Sequence, residues 1–131
     1  MKILTKHTDY ALAALCALAQ RDGDRMTVAE MSKELQIPYA FLRRLLLALA
    51  QAGVVQSHQG QRGGYTLKGK PATIRVGAIV ELFQGPVSFT DCYVQNTQCS
   101  RRMRCKLRKK LRQLEAQFIK DLCNMSLSEL T

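Results

Sequence analysis

The chain has 131 residues, 47% of them hydrophobic, and a formal net charge of +10 from 20 basic and 10 acidic side chains. That size fits one domain with a core of its own, and that apolar content excludes an unfolded polyelectrolyte. No apolar run nears the ~20 residues needed to cross a bilayer, whereas the positive balance favours a polyanionic partner, above all nucleic acid.

The N-terminal stretch MKILTKHTDYALAALCALAQ has basic residues followed by an apolar patch, as a signal peptide does. His7, Thr8, Asp9 and Tyr10 interrupt its front and no small-residue cleavage site ends it, so it reads as a helix of a cytoplasmic protein. Ala11, Ala14, Leu15 and Leu18 recur at helical spacing, which predicts a first helix over 8–20, with Thr8 as N-cap and Asp9 in the first turn. RDGDR (21–25) is a turn.

Thr27 and Glu30 form a capping-box pattern ahead of the stripe Val28, Met31 and Leu35. After a short turn at Gln36 and Ile37, Pro38 suits the first position of a new helix. Leu42, Leu45, Leu46 and Leu49 give that helix one apolar face, and Gly53 ends it as a left-handed cap. Two short helices joined by a tight turn predict a helix-turn-helix. Val54 and Val55 open one strand, Tyr65 to Leu67 form another, and Gly60, Gly63 and Gly64 supply the turn between them. The fold expected is therefore mainly α with a small β-hairpin wing, a winged helix-turn-helix.

TIRVGAIVELFQG reads as a short fourth helix ended by Gly85 and Pro86. Leu107, Leu111, Leu114, Phe118, Leu122 and Met125 then recur at near-heptad spacing, which predicts a long C-terminal dimerisation helix seamed by the first five. The organisation expected is a DNA-binding domain over 1–85, a cysteine loop over 86–106, and a dimerisation helix with a tail over 107–131. The first helix is a further candidate for the dimer interface.

On the second helix of the helix-turn-helix, Tyr39, Ala40, Arg43 and Arg44 lie at the N-terminal end or on the face away from the leucines. Recognition helices reach base edges with such positions, and Arg can clasp guanine in a bidentate way. Gln61 and Arg62 sit at the hairpin tip, where an Arg suits a narrow minor groove or a phosphate. Thr27, Lys33 and Lys6 are candidate phosphate contacts, and His58 reads as a half-exposed strand residue.

Cys92, Cys99 and Cys105 are spaced C-x6-C-x5-C, too loosely for the CxxC pairs of zinc ribbons. Residues 101–112 hold 8 of the 20 basic side chains, among them Arg101, Arg102, Arg104 and Lys106. Nearby cations favour thiolates and would offset an anionic cluster; a phosphate-binding loop with incidental cysteines is the plainer reading. Cys16 and Cys123, on the first and last helices, are expected to be buried structural residues.

The segments LTKHTDYAL, IPYAFLRRLLLALAQAGVV, GQRGGYTL and IRVGAIVELFQGP, with the three loop cysteines, resemble the Rrf2 superfamily of bacterial transcription regulators, which contains the IscR, NsrR and RirA types. The resemblance covers nearly the whole chain. It implies a winged-helix homodimer on promoter DNA, with an iron–sulfur cluster held by Cys92, Cys99 and Cys105, in a 4Fe–4S or, second, a 2Fe–2S form. The chain departs from the IscR type, where a histidine three residues after the last cysteine completes the site, because Arg108 stands there. In the NsrR type an aspartate from the other subunit does so, and Asp9 matches that position; His7 is a weaker candidate and Asp91 the one in the loop. No effector beyond a gaseous or redox signal is implied. The rivals are a thiol- or zinc-dependent repressor without a cluster and, from another class, an iron–sulfur carrier. No triad, P-loop or dinucleotide-binding glycine motif points to an enzyme.

Overall fold

A computed structural model describes residues 2–89, 99–101 and 104–131. Helices α1 (Lys6–Gln20), α2 (Val28–Leu35) and α3 (Tyr39–Gln51) precede strands β1 (Val55–His58) and β2 (Gly64–Leu67). Helices α4 (Val76–Gln84) and α5 (Lys106–Asn124) follow, with short 3-10 turns at Pro71–Thr73 and Leu127–Leu130.

The apolar stripes expected on α1 and α3 are buried, whereas of the α2 stripe only Met31 is, Val28 and Leu35 being partly covered. Ala11, Ala14, Leu15 and Leu18 of α1 meet Leu42, Leu46 and Leu49 of α3, Met31 of α2, and Val76, Ile79 and Val80 of α4. Burying the Leu, Ile, Val and Met side chains among these contributes about 1.5–3 kcal/mol each, which is what allows these short helices to persist. The Thr27 hydroxyl accepts from the Glu30 amide while the Glu30 carboxylate accepts from the Thr27 amide, so the expected capping box is formed. Gly53 has φ +76 just beyond α3, as a left-handed terminator should. The strands pair antiparallel with Val55 opposite Leu67 and His58 opposite Gly64.

Three expectations shift. The N-cap of α1 is Thr5, whose hydroxyl accepts from the Thr8 amide. Thr8 lies inside the helix and is buried, its own hydroxyl turned to Gln84 on α4. Both threonines satisfy the local signal, and the tertiary partner decides between them. Pro38 is the N-cap of α3 rather than its first residue. Of the two cysteines expected to be buried, Cys16 is only half-buried and Cys123 is exposed. At Cys123 the two helices come close: a Cβ on Gly77 would lie 3.1 Å from the Cys123 amide nitrogen. α4 therefore meets the end of α5 backbone to backbone, and the Cys123 side chain fills no space in that contact.

The C-terminus returns to the helical body. Arg75, at the N-cap of α4, donates to the Asn124 carbonyl, where a cation suits the C-terminal end of α5. The Val76 amide donates to the Met125 carbonyl and the Leu127 amide to the Ile74 carbonyl. Leu127 is fully buried in the common core. This last turn was missed in the sequence, although Ser126 and Glu129 form a capping box that marks it.

Candidate nucleic-acid interface and cysteine segment

The helix-turn-helix closes through a left-handed Gln36, the Ser32 hydroxyl donating to the Ile37 carbonyl, and Ile37 plugging the core. These contacts fix α3 with its leucine face inward. Tyr39, Ala40, Arg43 and Arg44 are all exposed, as are Leu47 and Gln51 on the same outer side. Lys33 is exposed on α2, and Thr27 is half-buried with its hydroxyl engaged in the cap.

An aromatic cluster, not foreseen from the sequence, joins α1 to this surface. Phe41 packs against the rings of His7 (4.7 Å) and Tyr10 (5.5 Å). The Arg44 guanidinium lies 5.9 Å from the Phe41 ring and the Lys6 ammonium 5.4 Å from the Tyr10 ring. Lys6 and Arg44 thus belong to one cationic–aromatic surface spanning both helices. In the wing, Gln61 and Arg62 are exposed at the tip, and the half-buried His58 bonds across the hairpin to Thr66. Partial burial beside the core raises the pKa of Cys16 on α1, and the hydrogen bond from the Thr27 amide, first, and the Thr27 side chain hold that of Glu30 down.

The cysteine segment leaves and rejoins the body on α5. On its entry side the Phe89 amide donates to the Glu115 carboxylate, and the Phe89 ring packs 5.2 Å from that of Phe118. On its exit side Cys105 is the N-cap of α5, its sulfur accepting from the Arg108 amide at 3.4 Å. Cys105 and Glu115 are roughly 15 Å apart along a helix axis at 1.5 Å per residue. Cys99 and Cys105 are half-buried free thiols, flanked by exposed Arg101, Arg104 and Lys106. Cys92, Asp91 and Arg102 lie outside the described residues. Among the described residues, no three His, Cys, Asp or Glu side chains come together to hold a metal ion.

Asp9 is exposed on the first turn of α1, next to a clamp that links this turn to the end of α4. Gln84, the last residue of α4, accepts from the Thr5 amide and the Thr8 hydroxyl through one oxygen. Its amide nitrogen donates to the Ile3 carbonyl at 2.9 Å. Sequence gave no signal for this clamp, whose partners are some 80 positions apart.

Along α5, Leu107 and Leu114 are 67% and 59% exposed, while Leu111, Phe118 and Leu122 are half-buried. Leu122 packs on the core. The seam therefore divides into a docked C-terminal end and a free N-terminal stretch. No helix among the described residues is long and apolar enough to cross a membrane.

Known proteins share this arrangement. The repressor NsrR of Streptomyces coelicolor, a helix-turn-helix transcriptional repressor, is 33% identical over 129 residues, covering 97% of this chain and 86% of that one. The fold matches CymR, the global cysteine regulator of B. subtilis, with a TM-score of 0.80 at 23% identity, over 99% of this chain and 96% of that one. It also matches T. potens IscR, with a TM-score of 0.76 at 21% identity, over 99% and 85%. The model of the Rrf2 family, described as iron-dependent transcriptional regulators, matches residues 4–131. The chain belongs to the Rrf2 family of transcriptional regulators.

Proposed function

We propose that the chain is a homodimeric, cytoplasmic repressor-type regulator that binds promoter DNA and senses a redox, iron or nitric oxide signal through its cysteine segment. α3 would enter the major groove with Tyr39, Ala40, Arg43 and Arg44, and the wing would bring Gln61 and Arg62 to the adjoining minor groove. Lys6, Lys33 and Thr27 would hold the backbone. In a dimer, the two α3 helices must match half-sites about one DNA turn apart, so a small change in their relative placement alters affinity.

Cys92, Cys99 and Cys105 would hold an iron–sulfur cluster, completed by Asp9 of the partner subunit. A cluster bound there supplies a centre that iron loss, oxygen or nitric oxide alters. The observation that carries this reading is the cysteine segment itself. Its described thiols stand among cations, and Cys105 forms the cap of α5. The iron-dependent description of the family supports the same reading. Loss of the Cys105 cap would loosen the start of α5, the stretch with the freest apolar seam. At the other end of the segment, Gln84 grips α1 beside Phe41 and Arg44, so a change in the segment bears on the DNA-reading surface.

Iron and sulfide analysis of anaerobically purified protein tests the proposal, together with absorbance spectra of Cys92→Ala, Cys99→Ala and Cys105→Ala. Each variant should lose the iron–sulfur absorbance; its retention in all three sinks the cluster. Bound zinc, or DNA binding governed by thiol oxidation without iron, would favour the thiol or zinc repressor. A cluster protein that binds no DNA in either state would be a carrier.

A further inference from the structure

The turn 21–25 has a role that its sequence does not announce. Asp22 and Gly23 are successive left-handed residues, with φ +48 and +94. The turn is pinned at one end by the Arg21–Glu34 ion pair (2.9 Å). At the other, the fully buried Met26 exchanges both backbone hydrogen bonds with Tyr65 of β2. Gly64 passes so close that a Cβ would lie 2.8 Å from the Met26 carbonyl oxygen. The base of the wing is thus bolted to the residues that lead into α2.

The wing tip is held much less. Within it, the Gly63 amide donates to the Gly60 carbonyl at 2.9 Å. Among the described residues, one hydrogen bond reaches the tip from outside the hairpin: Arg25 Nη1 donates to the Arg62 carbonyl at 2.8 Å. Asp22 and Asp24 adjoin Arg25 in sequence, yet the one ion pair among the described residues is Arg21–Glu34. The Arg25 guanidinium is therefore directed to a neutral carbonyl of the wing, from a backbone fixed on both sides. A charge-assisted bond of this kind is stronger than a neutral one and sets direction as well as distance.

We propose that Arg25 is a positioning residue for DNA recognition, bracing the Arg62 carbonyl so that the Arg62 side chain is presented to the minor groove. The proposal rests on the reading of the hairpin as a DNA-contacting wing. Ordering the tip before binding removes part of the entropic cost of ordering it on DNA. Arg25 itself needs no contact with the duplex.

The test uses the full chain and a duplex that the wild-type protein selects from a random-sequence pool. Binding is titrated against salt for wild type, Arg25→Ala, Arg62→Ala and the double variant. Amide exchange is followed at residues 61–63. Arg62→Ala should weaken binding roughly three- to tenfold and reduce the salt slope by about one. Arg25→Ala should do nearly the same, the double variant should be no weaker than Arg62→Ala, and Arg25→Ala should speed exchange at the tip alone. Additive losses with a further drop in slope would make Arg25 a phosphate contact and overturn the brace. Unchanged binding by Arg25→Ala, or by Arg62→Ala, would overturn it too. If the wild-type chain selects no duplex, the DNA reading itself fails; the exchange experiment still decides whether the brace exists, and unaltered exchange at 61–63 ends it.

Discussion

The body formed by α1 to α4 with its wing and the helix α5 are built on opposite terms. In the body every helix buries apolar side chains, α1 and α2 are closed by side-chain caps, and the last turn of the chain folds back to seal the core with Leu127. α5 has 19 residues and buries none of them fully. Its C-terminal end is fastened by Arg75 and by the close approach at Gly77. Its N-terminal stretch shows Leu107 and Leu114 to solvent and starts on a cysteine sulfur. A helix that is polar on most faces, with a seam of leucines, is stable when another surface covers that seam. The body thus has a sealed core of its own, to which the chain beyond α5 contributes Leu127, while the start of α5 leaves its apolar seam uncovered.

The largest effect should come from breaking the seam. Changing Leu107 and Leu114 to Asp together should weaken dimerisation by about 4 kcal/mol or more, roughly a thousandfold. Sedimentation would report monomers, while the unfolding midpoint of the body stays near that of the dissociated wild type. A dimer that survives both charges would place the interface elsewhere.

Next comes the core. Leu127→Ala removes a fully buried side chain that closes the body, and should cost about 2–5 kcal/mol in denaturant unfolding. The effect belongs to the body and not to the seam, so it should appear in a monomeric variant with equal size. A smaller loss, below about 1 kcal/mol, would mean that the C-terminal turn is an ornament and not part of the core.

Gln84→Ala should destabilise the chain by about 0.5–1.5 kcal/mol, because the buried Thr8 hydroxyl loses its acceptor on α4 and keeps only the Thr5 hydroxyl. More telling is its effect on communication. If the clamp carries the state of the cysteine segment to α1, the variant should bind operator DNA alike with and without iron. A full iron response in Gln84→Ala would remove the clamp from the mechanism.

Much of the body was legible because its signals are local. Capping residues, leucine spacing and glycine placement fix α2, α3 and the hairpin within a few positions. The helical spacing of α5 was legible for the same reason. What escaped notice depends on partners distant in sequence. Thr5 replaces Thr8 as cap because Gln84 takes the Thr8 hydroxyl, and Arg25 finds Arg62 only because Met26 and Tyr65 bring the turn beside the wing. Phe41 gave no local signal, but it is the contact that brings together His7, Tyr10 and Arg44, with Lys6 on the Tyr10 ring. The Ser126–Glu129 box was local and readable, and it was hidden by the assumption that the chain ends in a tail.

The smallest expected effect concerns how the two regions start their helices. α2 begins on the Thr27–Glu30 box, and hydrogen bonds from Thr27, first that of its amide, lower the Glu30 pKa from 4.5. A carboxylate whose pKa is lower folded than unfolded stabilises the fold fully above the unfolded value. That contribution fades as pH falls from there through the folded value. Below about pH 4.5 the first turn of α2 should therefore loosen, seen as faster amide exchange at Thr27 and its neighbours in the helix-turn-helix. α5 carries no acidic residue in its first turn and is capped by sulfur, so its start should show no such acid step. Glu30→Gln should abolish the step in α2 while keeping an acceptor for the Thr27 amide. Thr27→Ala, which removes the other half of the box, should cost about 0.5–2 kcal/mol at neutral pH. An acid step that persists in Glu30→Gln would assign it to other carboxylates of the body, and the contrast between a carboxylate-capped α2 and a sulfur-capped α5 would then rest on geometry alone.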